Sequence, residues 1–314
     1  MKRNASDVLR RGFDSMLANW PLLAIRIAES IVLVGIAFAS VVAIVVPLVI
    51  SLGFGRGIHA SDATDAAQIV LDALASHWLI IVYVIAVVFL MLVVFVAIHS
   101  FVIAGCARIF VDAERNTAAM PAPSREDFRA FTGDRWLQGG RDGWLTVFWI
   151  YNAAWSVAAI IILVPFLILL AVMFMLRESG PAAAVAGCAG SIIAFMFIVP
   201  VAIVTGIWTQ RAIVDCLARG ADVGGALRGA WAEFRSDLGR HLGIAMVMLV
   251  VTFAAAGLFG GLSMMAGIGR PPANMSLMFL PLQFSASIAN SVFSAGISAW
   301  FLACFASLAM EPRA

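Results

Sequence analysis

Arg26 and Glu29 stand three residues apart at the edge of the first long apolar run, the one oppositely charged pair so close to such a run. There they could form a gate or hold a lipid headgroup, and the plainer outcome is an ion pair between themselves or a snorkel to the membrane surface. Arg108 with Asp112 and Arg211 with Asp215 repeat an i, i+4 spacing that puts each pair on one helical face, as structural ion pairs closing a helix end. His99 lies in the second apolar run beside Ser100 with no carboxylate near it in sequence, which gives little support to a proton relay. Asn152, Gln210, Gln283 and Asn290 are uncharged amides in or near apolar runs. An amide in hydrocarbon must find a partner, so these residues point inward as packing contacts or line a polar pathway.

Other chemistry is thinly represented. The stretch from His59 to Trp78 gathers histidines and aspartates, yet Ala66, Ile69, Val70, Ala73 and Leu74 fall on one face and Asp65, Gln68 and Asp72 on the other. That periodicity predicts a short amphipathic surface helix rather than a metal centre. The cysteines Cys106, Cys188, Cys216 and Cys304 have no metal-ligand spacing. No phosphate-cradling glycine loop, zinc set or nucleophile elbow occurs, and the polar segments are too short for a catalytic domain. The chain reads as non-enzymatic, without cofactor or metal.

The elements that must carry these residues are membrane spans. Of 314 residues, 63% are apolar and 12% charged, against roughly half and a quarter in soluble domains. Six uncharged stretches suffice to cross about 30 Å of hydrocarbon: Ser30 to Gly55, Trp78 to Ala107, Trp144 to Leu176, Ser179 to Gln210, Leu242 to Gly269 and Pro271 to Met310. Pro271, Pro272, Asn274 and Pro281 predict that the first third of the last stretch is loop and helix entry. Ala37-Phe38-Ala39 has the spacing of a signal-cleavage site, but Arg26 and Glu29 interrupt the would-be apolar core and hydrophobic sequence continues to Ile50, so the first helix is expected to be retained. Pro47, Pro165 and Pro200 predict kinks. In the last stretch Ser287, Ser291, Ala295 and Ala299, four residues apart, predict close helix packing within the bundle or between copies.

Arginines crowd the segments before the first stretch and after the second and fourth, whereas the opposite loops hold only Arg56, Arg177 and Arg270. Basic loops stay in the cytoplasm, so both termini are expected there. The net charge of +2 offers no reason to expect nucleic acid.

An amphipathic motif recurs. Leu9, Phe13, Met16 and Trp20 align, 218 residues on, with Leu227, Trp231, Phe234 and Leu238. Each set is spaced i, i+4, i+7, i+11 along one helical face, with charges on the others, and should lie in the cytoplasmic membrane interface. The two Arg-x-x-x-Asp pairs stand 103 residues apart, an offset that sets Phe128 and Phe131 opposite Trp231 and Phe234. A middle copy of the helix is expected to begin near Ser124, where Ser124-Arg-Glu-Asp127 has a capping pattern, and to degenerate in the glycines before Gly143. The expected fold is all-α, a single integral membrane domain over 1–314. Its six transmembrane helices form three tandem units near 1–115, 116–220 and 221–314, each an interfacial helix followed by a helical hairpin.

The block "GGALRGAWAEFRSDLGRHLG", following Arg211-x-x-x-Asp215 and preceding an apolar run, resembles bacterial six-helix membrane proteins of the YciC-like type, or the membrane domain of glycerophosphoryl diester phosphodiesterases. In those enzymes a separate soluble barrel performs hydrolysis, and nothing here corresponds to it. The resemblance implies a multi-pass protein of a bacterial inner membrane. The leading expectation is a non-catalytic protein that organises membrane lipids, anionic ones at the cytoplasmic face, or supports a protein partner or homo-oligomer. The alternative is a small transporter or channel with a polar pathway at the repeat axis, drawn from Arg26, Glu29, His99, Asn152, Gln210 and Asn290.

Overall fold

The computed structural model describes residues 3–51, 78–120, 122–175, 180–265 and 273–311, and every regular element among them is helical. In chain order these are α1 (Ala5–Ala18), α2 (Pro21–Ser51), α3 (Trp78–Thr117), α4 (Gly133–Met175), α5 (Gly180–Arg219), α6 (Val223–Ser236), α7 (Leu238–Met265) and α8 (Ala273–Ala309), with a 3-10 turn at Arg125–Phe128. Six of them, all but α1 and α6, are long and apolar enough to cross a membrane. Their outer faces carry large apolar side chains, Phe38, Ile193 and Met196 each about 70% exposed. Such faces are stable where hydrocarbon replaces water, because a helix satisfies its own N–H and C=O groups there. The chain is a multi-pass membrane protein.

Two compact units are distinguished, Arg26–His99 and the rest of the chain. The smaller unit holds α2 from Arg26 onward and α3 as far as His99, joined where the Tyr83 hydroxyl donates to the Ala43 carbonyl at 2.9 Å. The larger unit has a core of fully buried side chains that includes Phe110, Phe128, Ile150, Ile213, Leu302 and Phe305. In that unit α8 packs on α1, α5 and α7, and α5 packs on α4 and α6. Small side chains allow the close approach of α8: Ala295, Ala299, Ala303 and Ala306 are buried, whereas Ser287 and Ser291, toward its start, are exposed.

The short helices have locally encoded ends. Asn4 caps α1, its Oδ1 accepting from the Asp7 N–H at 2.8 Å, and Asp222 caps α6, its Oδ1 accepting from the Gly225 N–H at 3.2 Å. Both helices are 14 residues long and start 218 residues apart. Between α5 and α6 the chain reverses at Gly220, whose φ of 67° suits a residue without a Cβ, and its N–H donates to the Cys216 carbonyl at 2.7 Å.

Two expectations about element boundaries are corrected. No amphipathic helix begins at Ser124; the capping pattern there closes a single 3-10 turn, and α4 runs unbroken from Gly133 through the glycines to Met175. Those glycines serve contact: Gly139 and Gly140 are buried, and a Cβ at Gly139 would lie 2.6 Å from the Cβ of Arg108 on α3. The last helix starts at Ala273 and passes through Pro281, so the first third of the final apolar stretch is already helical. Pro47, Pro165 and Pro200 lie inside α2, α4 and α5. The stretch from His59 to His77 lies outside the described residues.

Candidate functional site

Helices α1 and α6 are clasped to the larger unit in the same way. Trp300 of α8 donates its indole N–H to the Leu9 carbonyl at 2.9 Å, and Trp208 of α5 donates to the Leu227 carbonyl at 2.8 Å. Four residues on in each short helix, a ring meets that indole edge to face: Phe13 on Trp300 at 5.3 Å and 66°, Trp231 on Trp208 at 5.7 Å and 64°. The buried faces correspond as well, with Val8, Gly12 and Met16 matched by Ala226, Ala230 and Phe234. Gly105 stands 103 residues before Trp208, and the contact there differs from the two clasps: the indole N–H of Trp136 is buried against it with no acceptor among the described residues. A Cβ at Gly105 would lie 2.5 Å from Trp136 Nε1, so here the indole comes from the start of α4 and the span supplies the gap.

The apolar stripes of the two short helices therefore divide between protein and surroundings. Met16, Phe128 and Phe234 are buried in the core, and Leu9, Phe131 and Leu227 are partly buried against it. Phe13, Trp20, Trp231 and Leu238 remain exposed, by 40–61%. The expected stripe of four is shorter in the structure: Trp20 lies beyond the end of α1 at Ala18 and Leu238 opens α7, so the first three residues of each set share the short helix and divide between core and surface.

Charges lock α1 in place. Glu114, fully buried on α3, accepts through Oε2 from Arg11 at 2.9 Å and from Arg3 at 3.1 Å. Arg11 also donates to the Thr117 hydroxyl at 2.8 Å and stacks 5.0 Å above the Phe128 ring, while Arg3 reaches the Ser307 hydroxyl at 2.8 Å. Arg240 binds Glu311 at 2.8 Å and the Arg3 carbonyl at 2.9 Å, tying both ends of the described chain to α7. Asn19, also fully buried, uses Oδ1 to accept from the Ala130 and Phe131 N–H groups at 2.9 Å and Nδ2 to donate to the Phe128 carbonyl at 2.9 Å. One side chain thus satisfies the backbone ahead of α4.

At α6 the charges run outward from α5. Arg211, buried, donates to Glu233 and lies with Nε 3.3 Å from Asp215; Arg219 reaches the same two carboxylates at 3.1 and 3.4 Å. On α3, Asp112 stands 3.4 Å from Arg108 and 3.2 Å from Arg115. The exposed Asp127 accepts from the Ser124 hydroxyl and N–H, each at 2.7 Å, and these bonds hold its carboxyl below the ordinary carboxylate range.

In the smaller unit Arg26, Glu29 and His99 converge. Glu29, buried, pairs with Arg26 through one oxygen and stands 2.7 Å from His99 Nδ1 through the other. The carboxylate that His99 lacks in sequence arrives from the neighbouring helix. The amides are not drawn together: Asn152 donates to the Phe148 carbonyl of its own helix at 2.8 Å, Asn290 is exposed, and Gln210 keeps its oxygen buried. No hydrogen bond joins any two of these three.

Glu114, Asn19, Trp208 and Trp300 escape a reading of the sequence, because nothing local distinguishes them from other residues at span ends. The offset of 218 is the one signal that leads to the indoles, since it pairs the carbonyls they bind. Chemically, the arrangement presents exposed rings beside arginines on two helices that are each held to a span by an indole bond. No protein-family model, curated protein or solved structure matches this chain.

Proposed function

We propose that this chain is a non-catalytic integral protein of a bacterial inner membrane whose amphipathic helices α1 and α6 gather anionic lipid at the cytoplasmic face. The observation that carries the reading is the matched pair of indole clasps. They hold each helix so that Phe13 stays exposed beside Arg10, and Trp231 beside Arg228 and Arg235, with Trp20 and Leu238 exposed just beyond the helix ends. Exposed rings beside arginines suit the boundary between acyl chains and phosphates. The distribution of arginine supports termini in the cytoplasm. The equal lengths, caps and clasps of α1 and α6 support tandem duplication, as do their positions, each on the second span of the unit before it if α8 precedes α1 around a ring. The resemblance to YciC-like proteins, without a catalytic barrel, agrees with this reading. The test is energy transfer from tryptophan to pyrene-labelled phosphatidylglycerol or phosphatidylcholine in mixed bilayers. Enrichment of phosphatidylglycerol around the protein is expected, and it should disappear when Arg10, Arg228 and Arg235 are changed together to Gln. Equal transfer to both lipids would overturn the reading.

The approach of Glu29 to His99 favours a second reading, a small transporter that moves protons. Proton flux into liposomes that Glu29→Gln abolishes would support it, and its absence in the wild type would end it.

A further inference from the structure

Two cavities on the larger unit share a wall. One, of about 580 Å³, lies at α6 between Arg228, Arg235 and Ser236 on one side and Trp208, Leu227 and Trp231 on the other. The second, of about 490 Å³, is an apolar groove between Val157 and Ile161 of α4 and Pro200, Val201 and Val204 of α5. Trp208 and Trp231 line both, so a pocket with two arginines and an apolar groove along the spans lie side by side, separated by two indoles.

Both indoles of the shared wall have fixed contacts, and the arginines are available. Trp208 is fixed by its bond to Leu227, and Trp231 by its edge-to-face contact with Trp208. Arg228 spends Nε on the Gly224 carbonyl at 3.2 Å, and among the described residues neither Arg228 nor Arg235 forms an ion pair with a carboxylate. The carboxylates of this segment are engaged elsewhere: Asp222 caps α6, Glu233 holds Arg211 and Arg219, and Asp237 stands 2.9 Å from Arg240. The pocket thus offers two guanidinium groups to an anion and no carboxylate partner to an ammonium group. Volume and polarity together describe an amphiphile, with phosphate at the rim and hydrocarbon in the groove. On α1 the counterpart of Arg235 is Leu17, so only α6 carries both cations.

We propose that the pocket at Arg228, Arg235 and Trp231, together with the groove between α4 and α5 beside it, is a stoichiometric binding site for one glycerophospholipid with an anionic headgroup. This rests on the lipid-gathering reading above and adds to it a discrete site with a defined occupant. A free phosphate would satisfy the arginines alone, whereas a lipid also fills the groove.

Native mass spectrometry of the full chain in detergent tests this with dioleoylphosphatidylglycerol and dioleoylphosphatidylcholine as probes. The wild type should retain one phosphatidylglycerol in preference to phosphatidylcholine, and R228Q/R235Q should weaken that retention by about tenfold. Val157→Trp, which places bulk in the groove at an exposed position, should also weaken it with both arginines intact, and millimolar inorganic phosphate should not displace the lipid. Unchanged retention in R228Q/R235Q, equal retention of both lipids, or displacement by phosphate would each overturn the proposal. If pyrene-lipid enrichment persists while no stoichiometric lipid is found, the site alone fails. If both are absent, the reading beneath it fails as well.

Discussion

Helices α1 and α6 share length, cap and clasp, yet they are anchored by opposite means. α1 sends the cation Arg11 inward to a carboxylate on a span, while at the matching place α6 has Gly229 and instead offers the carboxylate Glu233 to two arginines on a span. The consequence lies on the outer face. With its acid drawn inward, α6 leaves Arg228 and Arg235 without a carboxylate, whereas α1 has committed Arg11 to the core and keeps Leu17 where α6 has Arg235. The two helices thus differ in how they are held: α1 turns a cation toward a buried carboxylate of its neighbouring span, and α6 turns a carboxylate toward two arginines of its own.

The largest effect should come from breaking the lock. Glu114→Ala leaves the buried Arg11 without its carboxylate and the partly buried Arg3 with only its Ser307 bonds, and a loss of about 3 kcal/mol is expected in denaturant unfolding in detergent. Glu233→Ala should cost less, because Glu233 is partly exposed and Asp215 remains beside both arginines. Equal losses at the two positions would remove the contrast between the two anchors.

Next in size is the crossing of α1 over α8. A Cβ at Gly12 would lie 2.5 Å from Cys304 Sγ and 2.9 Å from the Cys304 backbone nitrogen, so Gly12→Ala should cost about 1–3 kcal/mol by overpacking, read from the same unfolding curves. The counterpart on α6 is Ala230, where Ala230→Gly should cost only about 0.5–1 kcal/mol, the ordinary penalty of glycine in a helix.

Smaller again is the clasp. Trp300→Phe and Trp208→Phe each remove one indole donor, and each should destabilise by about 0.5–1.5 kcal/mol. Similar values would sharpen the equivalence of the two helices. A clear excess at either site would show that one indole has a further role.

The smallest effect concerns the middle segment. The bonds from Ser124 lower the folded-state pKa of Asp127, so their stabilisation is present above the unfolded value, about 3.9, and is lost as pH falls through the folded value. Protection factors for hydrogen exchange at Arg125–Phe128, corrected for the intrinsic pH dependence of exchange, should fall on acidification below about pH 4, and should change less in Ser124→Ala, which lacks the hydroxyl bond. No difference between the two proteins would mean that the turn is held by its neighbours rather than by its cap.

Much of the architecture is legible because it is local. Span length and polarity follow from hydrocarbon thickness, the starts of α1 and α6 follow from Asn4 and Asp222, and the end of α5 follows from Gly220. The middle segment is misleading because Ser124 and Asp127 satisfy a capping rule that a single 3-10 turn also satisfies. Glycines that look like breakers at Gly139 and Gly140 are tolerated, since in a packed membrane helix the close approach they allow outweighs their backbone freedom. His99 looks isolated because its carboxylate is 70 residues away along the chain.

The sequence by itself determined that this is a helical membrane protein, where its apolar runs lie, and that one amphipathic motif occurs at an offset of 218. Those properties are sums over neighbours, in which hydropathy and capping need no distant partner. Only the tertiary structure decided which ring of each stripe is core and which is surface, which arginine is buried against Glu114, and that Trp208 and Trp300 close on Leu227 and Leu9. Each of these depends on a group more than a helical turn away, and burial makes such pairings matter, because a buried charge or N–H must find its partner wherever the fold brings one.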